Sequence, residues 1–235
     1  MLWLQKTVAA SASVAGIGLH TGESTRLTFH PAEPNTGLVF RVRTERGETD
    51  IPALIEYVAE DELAVRNTSL QRDDVRIFTV EHVLAALRGL GVTNCIIELE
   101  GPEPPITSCG SALTYVELLQ QAGLVTQGVP AGYYRVTAPV TYHDGDIEIV
   151  AEPADTFLLS MRVEYDDPLI GVQEATTEVR PDIFAREIAP ARTFAFMQDV
   201  VKLREMGYAQ GGSLETAVVI EDGQLAGGQT FRFPD

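Results

Sequence analysis

Residues 77–94, IFTVEHVLAALRGLGVTN, form the stretch that decides how the surrounding chain can fold. Its apolar residues recur at the i, i+3, i+4 and i+7 spacing of one helical face: Val80, Val83, Leu84 and Leu87. Thr79 comes just before this pattern and suits the N-cap position, whereas Gly89 and Gly91 suit the end of a helix. The stretch therefore predicts a short buried helix.

The first turn of this helix carries two ionisable side chains, Glu81 and His82. The helix N-terminus favours the carboxylate form of Glu81 and the neutral form of His82. A neutral imidazole can bind a metal, and an adjacent carboxylate can take a proton from metal-bound water. Equally, many helices begin with an acidic residue, and a single histidine is commonly a hydrogen-bonded core residue or a surface residue. Both interpretations stay open on the spacing alone.

The composition is that of a globular protein, with 45% hydrophobic and 22% charged residues. The net charge of −17 argues against nucleic acid or an anionic membrane surface as a bulk partner. No apolar run is long enough for a transmembrane segment, and the N-terminal residues lack the basic region of a secretory signal. Cys95 and Cys109 are interpreted as reduced thiols, with Cys95 packed in a strand, so we expect a cytoplasmic protein.

Four motifs give the sequence a family resemblance that covers the whole chain. They are TVEHVLAALRGLGVTNCIIELEGPE at residues 79–103, GIGLHTG at 16–22, ARTFAF at 191–196 and GGSLETAVV at 211–219. In this order and at about this spacing they resemble the UDP-3-O-acyl-N-acetylglucosamine deacetylases, the zinc-dependent amidohydrolases of lipid A biosynthesis. The alternative that all four matches reflect packing alone is disfavoured by their common order.

The resemblance implies a reaction and a set of site residues. The substrate would be an acylated UDP-N-acetylglucosamine, whose N-acetyl group is hydrolysed. Glu81 would be the general base and His82 a ligand of Zn²⁺. His20 would lie near the active site, and Thr193 and Phe194 would border the substrate.

The first part of the chain reads as strands followed by two helices. Strands are predicted at residues 2–9, 25–30, 38–43, 68–70 and 95–100. Residues 16–22 read as a tight connection that carries His20, and Ser111 is placed to cap a second helix. Residues 125–132, VTQGVPAG, read as a linker because they combine glycine, proline and small residues.

Beyond this predicted linker the pattern restarts. Strands are predicted at residues 134–140, 147–152, 157–165 and 216–221, with His143–Asp146 as a turn. One long helix is predicted within residues 181–206, with Pro190 as a candidate point of interruption. We therefore predict an α+β fold with two domains, residues 1–127 with the TVEH motif and residues 128–235. The resemblance adds that the two sub-domains are similar, that helices are sandwiched between their sheets and that the second is incomplete.

The sequence also departs from the family. The family's remaining zinc ligands come from an HKxxD motif and its general acid from a later histidine, and we expect these beyond Asp235. Cys109 stands where the family has an aspartate, and Ile147 aligns with a lysine that meets the substrate diphosphate. Catalytic zinc usually has three protein ligands, so we expect the chain alone to be weakly active or inactive.

Three explanations of these departures stay open. The chain is a piece of a longer enzyme, a partner chain completes the site, or the protein is a divergent paralogue. In the last case it would be a non-catalytic protein that binds a nucleotide-sugar or a partner protein. The first explanation is favoured.

Overall fold

The computed structural model describes residues 3–44, 47–59, 66–106 and 109–232. Leu2 of the strand predicted at residues 2–9 and residues 233–235 of the second predicted domain lie outside these residues. None of the described helices combines the length and the apolar character needed to cross a membrane.

The elements of the first part of the chain are mostly strands, with two helices. In order they are β1 (Leu4–Val8), β2 (Ala12–Ile17), β3 (Ser24–His30), β4 (Leu38–Thr44), β5 (Gly47–Pro52), a 3₁₀ turn (Ile55–Tyr57), β6 (Leu70–Arg72), β7 (Val75–Ile77), α1 (Glu81–Gly89), β8 (Cys95–Glu100), α2 (Leu113–Ala122) and β9 (Leu124–Pro130).

The second part contains shorter elements. In order they are β10 (Val140–Asp144), β11 (Ile147–Ala151), β12 (Leu158–Glu164), β13 (Val172–Glu178), α3 (Pro181–Ile183), a π-helical turn (Phe184–Ile188), β14 (Phe194–Phe196), α4 (Met197–Glu205), β15 (Val218–Glu221), β16 (Gln224–Leu225) and a 3₁₀ turn (Ala226–Gly228). The predicted α+β class is confirmed, whereas two similar sub-domains stay a prediction.

The main sheet has five strands in the order β2-β3-β8-β4-β5. β8 pairs antiparallel with β3 and parallel with β4, so it lies at the centre. The alternation predicted for β4 is confirmed, since Phe40 and Val42 are buried and Arg41 between them is not. Helix α2 contacts both α1 and β2. The core is formed by side chains from sheet and helices, including Phe29, Phe40, Ile97, Val83, Leu87 and Leu119.

The predicted linker at residues 125–132 is wrong, because most of it forms β9. This strand pairs antiparallel with β1, with Val8 opposite Leu124 and Leu4 opposite Pro130. A buried amide network strengthens the pairing: Asn94 donates to Gln5 at 2.8 Å and to Gln127 at 2.7 Å. The domain boundary predicted at residue 127 falls inside β9, and the division into two domains stays a prediction.

A single long helix within residues 181–206 is also wrong, whereas the interruption predicted near Pro190 is confirmed. A short helical segment ends before Pro190, β14 follows, and α4 begins only at Met197. Proline lacks the N–H that a helix interior needs, and Phe194–Phe196 instead pairs in parallel with β15. The strand predicted at 134–140 is likewise absent from the described residues, apart from Val140, because Pro139 cannot donate to a ladder.

Two hairpins follow residue 139. β10 pairs with β11 around the predicted turn, and β12 pairs with β13, which was not predicted. Strands β10 and β11 are exposed at every position, and most of β12 and β13 is exposed as well. Among the exposed side chains are Tyr142, Ile147, Ile149, Leu158 and Met161. The first part of the chain therefore holds most of the core.

Candidate active site

The turn between β2 and β3 carries His20, as predicted. It is closed by two main-chain bonds, from the Gly22 N–H to the Gly18 carbonyl at 3.1 Å and from the Gly18 N–H to the Glu23 carbonyl at 2.9 Å. Gly22 has φ of +69°, a left-handed conformation that glycine adopts without strain. The strand β2 before this turn was missed, since its glycines read as a connection.

His20 is buried, with 5% of its surface exposed. Burial lowers its pKa, while Glu103 and Glu81 act in the opposite direction. Its ring meets Tyr208 edge-on at 5.7 Å, and neither ring nitrogen has a hydrogen-bond partner among the residues described. A buried neutral imidazole with two unpaired nitrogens is suited to bind a ligand or a water molecule.

Helix α1 begins at Glu81, and Gly89 ends it as predicted. The prediction that Thr79 caps the helix is wrong: the N-cap is Val80, and no side chain makes the capping bond. The Thr79 hydroxyl instead donates to Glu103 Oε1 at 2.7 Å. A carboxylate attracts a hydroxyl donor more strongly than a helix N–H attracts a hydroxyl acceptor, which explains the difference.

The Glu81 side chain is held by the preceding loop. The Thr68 N–H donates to Glu81 Oε2 at 3.0 Å, and the Val80 N–H donates back to the Thr68 carbonyl at 3.1 Å. Among the described residues, Oε1 has no hydrogen-bond partner. One oxygen is therefore fixed and the other can accept a proton.

His82 follows Glu81 and is half-buried. Burial lowers its pKa, although the Glu81 carboxylate acts in the opposite direction. The imidazole is therefore neutral at neutral pH, the form that binds metal ions. His82 also lines a cavity of about 30 Å³, together with Leu19, Thr79, Tyr115, Thr193 and Thr216.

Thr193 and Phe194 behave differently. Thr193 lines the same cavity as His82, and its carbonyl accepts the Val218 N–H at 2.9 Å. Phe194 is not among the cavity-lining residues, and its ring packs against Tyr165 at 5.4 Å. Thr193 therefore lines the same cavity as His82, whereas the Phe194 side chain packs in an aromatic cluster with Tyr165.

Gly110 and Ser111, which follow Cys109 in the sequence, line this cavity, so Cys109 lies near its rim. The Cys109 sulfur is 3.0 Å from the Ser111 hydroxyl, which accepts the Leu113 N–H at 3.3 Å. The prediction that Ser111 caps the second helix is wrong, because the N-cap of α2 is Ala112 and no side chain makes the capping bond. The Ser111 hydroxyl instead accepts the N–H two residues further on, which forms a local turn before the helix. Ile147 is exposed on the β10–β11 hairpin.

Glu103 is the residue that sequence analysis missed. It is completely buried, and its carboxylate accepts hydrogen bonds from both His20 and Thr79. Its signal in the sequence was a single charge set between Pro102 and Pro104 directly after a buried strand. Such a segment reads as a surface break, which is why it was assigned no role.

The described part of the chain contains no group of three or more His, Cys, Asp or Glu side chains that could hold a metal ion. His82, neutral and next to a cavity, fits one zinc ligand. A catalytic zinc site needs about three protein ligands. The described residues therefore account for one ligand, and the others would come from outside them.

Comparison with known proteins identifies a single family. Residues 5–235 match the sequence profile of UDP-3-O-acyl N-acetylglycosamine deacetylases. A UDP-3-O-acyl-N-acetylglucosamine deacetylase from Myxococcus xanthus is 43% identical over 232 residues, which are 98% of this chain and 72% of the relative. One from Anaeromyxobacter dehalogenans is 43% identical over 235 residues, covering 99% of this chain and 74% of the relative. The bifunctional enzyme LpxC/FabZ from Chlorobaculum tepidum is 40% identical, with 96% and 48% covered.

Proposed function

Because the chain belongs to the UDP-3-O-acyl N-acetylglycosamine deacetylase family, we propose that it acts on the N-acetyl group of an acylated UDP-N-acetylglucosamine in lipid A biosynthesis. The observation that carries this proposal is the placement of Glu81 and His82. A carboxylate anchored at one oxygen stands next to a neutral imidazole that borders a cavity. This is the pair that amide hydrolysis with a metal-bound water requires.

Each residue of the candidate site would have its own role in this hydrolysis. Thr68 fixes one oxygen of Glu81, and the other takes the proton of the water that attacks the acetamide carbonyl. The amide C–N bond then breaks as the proton passes to the nitrogen, which gives acetate and the free amine. His20 would form a hydrogen bond with the substrate through a ring nitrogen, and Thr193 would border the substrate from the cavity.

Zn²⁺, when bound, would polarise the carbonyl and increase the acidity of the water. His82 would be one of its ligands. Since the described residues supply one ligand, a further segment or a partner chain would complete the site. We therefore propose that the 235-residue chain alone is weakly active or inactive. Both cysteines are free thiols, which supports a cytoplasmic location.

The test combines zinc content with turnover. The purified chain, Glu81→Gln and His82→Ala are compared for bound zinc and for deacetylation with zinc added. We expect His82→Ala to lose whatever zinc the unaltered chain retains. Glu81→Gln should keep that zinc, but any residual turnover rate should fall by about 10²–10⁴-fold. Zinc retention by His82→Ala equal to that of the unaltered chain would refute the ligand assignment.

A second candidate is a non-catalytic paralogue that binds a nucleotide-sugar or a partner protein. Cys109 in place of the family's aspartate, and the single zinc ligand among the described residues, favour it. Calorimetry with acylated UDP-N-acetylglucosamine separates the two. Binding without turnover at any zinc concentration supports the paralogue, whereas turnover that depends on Glu81 excludes it.

A further inference from the structure

The carboxylate of Glu103 joins two segments of the candidate site that are far apart in the sequence. Glu103 is 0% exposed, so its carboxylate has no access to solvent. All of its hydrogen-bond donors are uncharged main-chain or hydroxyl groups. Burying a carboxylate costs free energy unless hydrogen-bond donors surround it. These bonds therefore compensate the burial of Glu103.

One set of donors comes from the turn that carries His20. The His20 N–H lies 3.0 Å from Oε2, the Thr21 N–H 3.2 Å from the same oxygen, and the Thr21 hydroxyl 3.3 Å from it. Gly18 completes the fit, because a methyl group there would lie 2.5 Å from Oε2. The turn is therefore shaped around the carboxylate.

The other donor comes from the residue two positions before Glu81. The Thr79 hydroxyl donates to Oε1 at 2.7 Å. Thr79 has φ of +55°, a left-handed conformation that is strained for a β-branched residue. Such strain persists only where surrounding contacts enforce it, and Glu103 supplies one.

The main chain of Glu103 is itself fixed. The Thr25 hydroxyl donates to the Glu103 carbonyl at 2.7 Å and to the Glu100 carbonyl at 2.9 Å. This connects the Pro102–Glu103–Pro104 segment to strand β3 of the main sheet. Glu103 is thus held by β3 through its main chain and bonds both the His20 turn and Thr79 through its carboxylate.

We propose that Glu103 is a positioning residue, which sets the turn of His20 and the start of helix α1 in one fixed relation. It acts through the His20 and Thr21 main chain on one side and through Thr79 on the other. It is not a catalytic residue, since a fully buried carboxylate touches no substrate. Its consequence for turnover rests on the proposed function, whereas the coupling of the two segments does not.

The experiment compares Glu103→Gln, Thr79→Val and a control, Thr28→Val, in the zinc-supplemented full chain. Glutamine keeps the shape but places an amide donor against donors, so the bonds cannot all be kept. Thr28 is a buried threonine of the same hairpin, and its hydroxyl pairs with Ser13 at 2.8 Å instead of Glu103. Amide hydrogen exchange of His20, Thr21 and Val80 is measured, with Leu90 at the far end of α1 as an internal reference, and kcat and KM are measured in parallel.

We expect Glu103→Gln to accelerate exchange at His20, Thr21 and Val80 by about tenfold or more, with Leu90 unchanged. Thr79→Val should accelerate exchange at His20 as well, because the coupling runs through Glu103. We expect kcat to fall by roughly 10- to 100-fold, more than KM rises, in both variants but not in Thr28→Val.

Three outcomes decide the matter. Equal effects of Glu103→Gln and Thr28→Val on exchange and on kcat would overturn the proposal, since any lost bond would then do the same. Unchanged exchange at His20 in Thr79→Val would overturn the coupling, even if Glu103→Gln fails to fold. If the unaltered chain shows no turnover, which the proposed function allows for this chain alone, the exchange data alone decide the positioning role.

Discussion

At the scale of single residues, the two cysteines differ in their surroundings. Cys95 is completely buried in β8, and burial raises the pKa of its thiol to about 12. Cys109 is partly exposed beside Ser111. Because the thiolate is the reactive form, the two should react at different rates.

We predict that a thiol reagent such as Ellman's labels Cys109 in the folded chain and labels Cys95 only after unfolding. The release of thionitrobenzoate with and without urea measures this. Cys109→Ser serves as the control and should show no labelling before unfolding. Equal labelling rates for both thiols in the folded chain would contradict the burial of Cys95.

The two site histidines make stability depend on pH. Burial lowers the pKa of His20 and of His82 from the ordinary value of 6.5. As pH falls below about 6.5, the unfolded chain takes up protons that the folded chain does not, so the folded state loses stability. Above this pH both states are neutral at these positions, and the contribution is fully present.

We therefore predict a lower urea midpoint at pH 5.5 than at pH 7.5 in zinc-free buffer. His20→Gln should reduce the difference between the two midpoints, because one of the two responsible groups is removed. His143→Gln is a suitable control, since His143 is exposed in strand β10. A difference that is the same in His20→Gln and in the unaltered chain would exclude His20 as a source.

Sequence patterns locate a residue well when its position depends on local periodicity. They locate it poorly when its position depends on a partner far away in the sequence. Glu81 and His82 were placed correctly at the helix start, because periodicity locates a helix and its first turn. Thr79 and Glu103 were misjudged because each depends on a partner more than twenty positions away. Such pairs leave no local signal in a single sequence.

At the scale of elements, the glycines of two motifs allow close contact between main chains. A methyl group at Gly211 would overlap the carbonyl oxygen of Gly18. The Gly211 N–H donates to the Leu19 carbonyl at 3.0 Å, so this contact holds the His20 turn against the segment 209–212. The GIGLHTG and GGSLETAVV motifs therefore meet through their glycines.

We predict that Gly211→Ala lowers the free energy of unfolding by about 1–3 kcal/mol, because the added methyl forces one of the two chains to move. The matched control is Gly132→Ala, where a methyl group would meet nothing within 4 Å. Urea unfolding of both variants measures the difference. Equal stability of the two variants would show that the turn and the segment 209–212 are not in close contact.

Elements were predicted well where one strong pattern covered the whole segment. Strands β4 and β8 and helix α1 each have such a pattern, and their bounds agree with the prediction to within a residue or two. The sequence predicts a linker where β9 lies, because its glycine and proline are typical of linkers. The pairing of β9 with β1 joins residues more than a hundred positions apart and leaves no local pattern. Within residues 181–206 the interruption near Pro190 is predicted from the proline alone, but helical periodicity gives no sign of β14, which pairs with β15 more than twenty residues later.

At the scale of the whole molecule, the core is concentrated in the first half of the sequence. In the part of the chain that the structure describes, the buried side chains of this core run from Val8 to Leu119, and Phe184 and Ala189 join them from later in the chain. Strand β9 completes this unit, since its Gln127 pairs with Asn94 and its backbone pairs with β1. The exposed hairpins add little to the core.

We predict that residues 1–132 made as a separate chain unfold cooperatively in urea. A matched chain of residues 1–123 should be less stable or unfolded, because β1 loses its partner and buried amides lose theirs. Circular dichroism at increasing urea measures both. Identical unfolding curves would show that β9 is not part of the first folding unit, and would support the domain boundary near residue 127.

The contact between Gly18 and Gly211 has a consequence for protein synthesis. On the ribosome, the sheet, both helices of the first unit and the His20 turn leave the exit tunnel long before residues 193–216 are made. The first unit can therefore fold early, whereas the segments that contact the His20 turn and carry Thr193 are synthesised later. A nascent chain interrupted between these two events would have a folded first unit without the segments that contact the His20 turn, so the candidate site is complete only after residues 193–216 have left the tunnel.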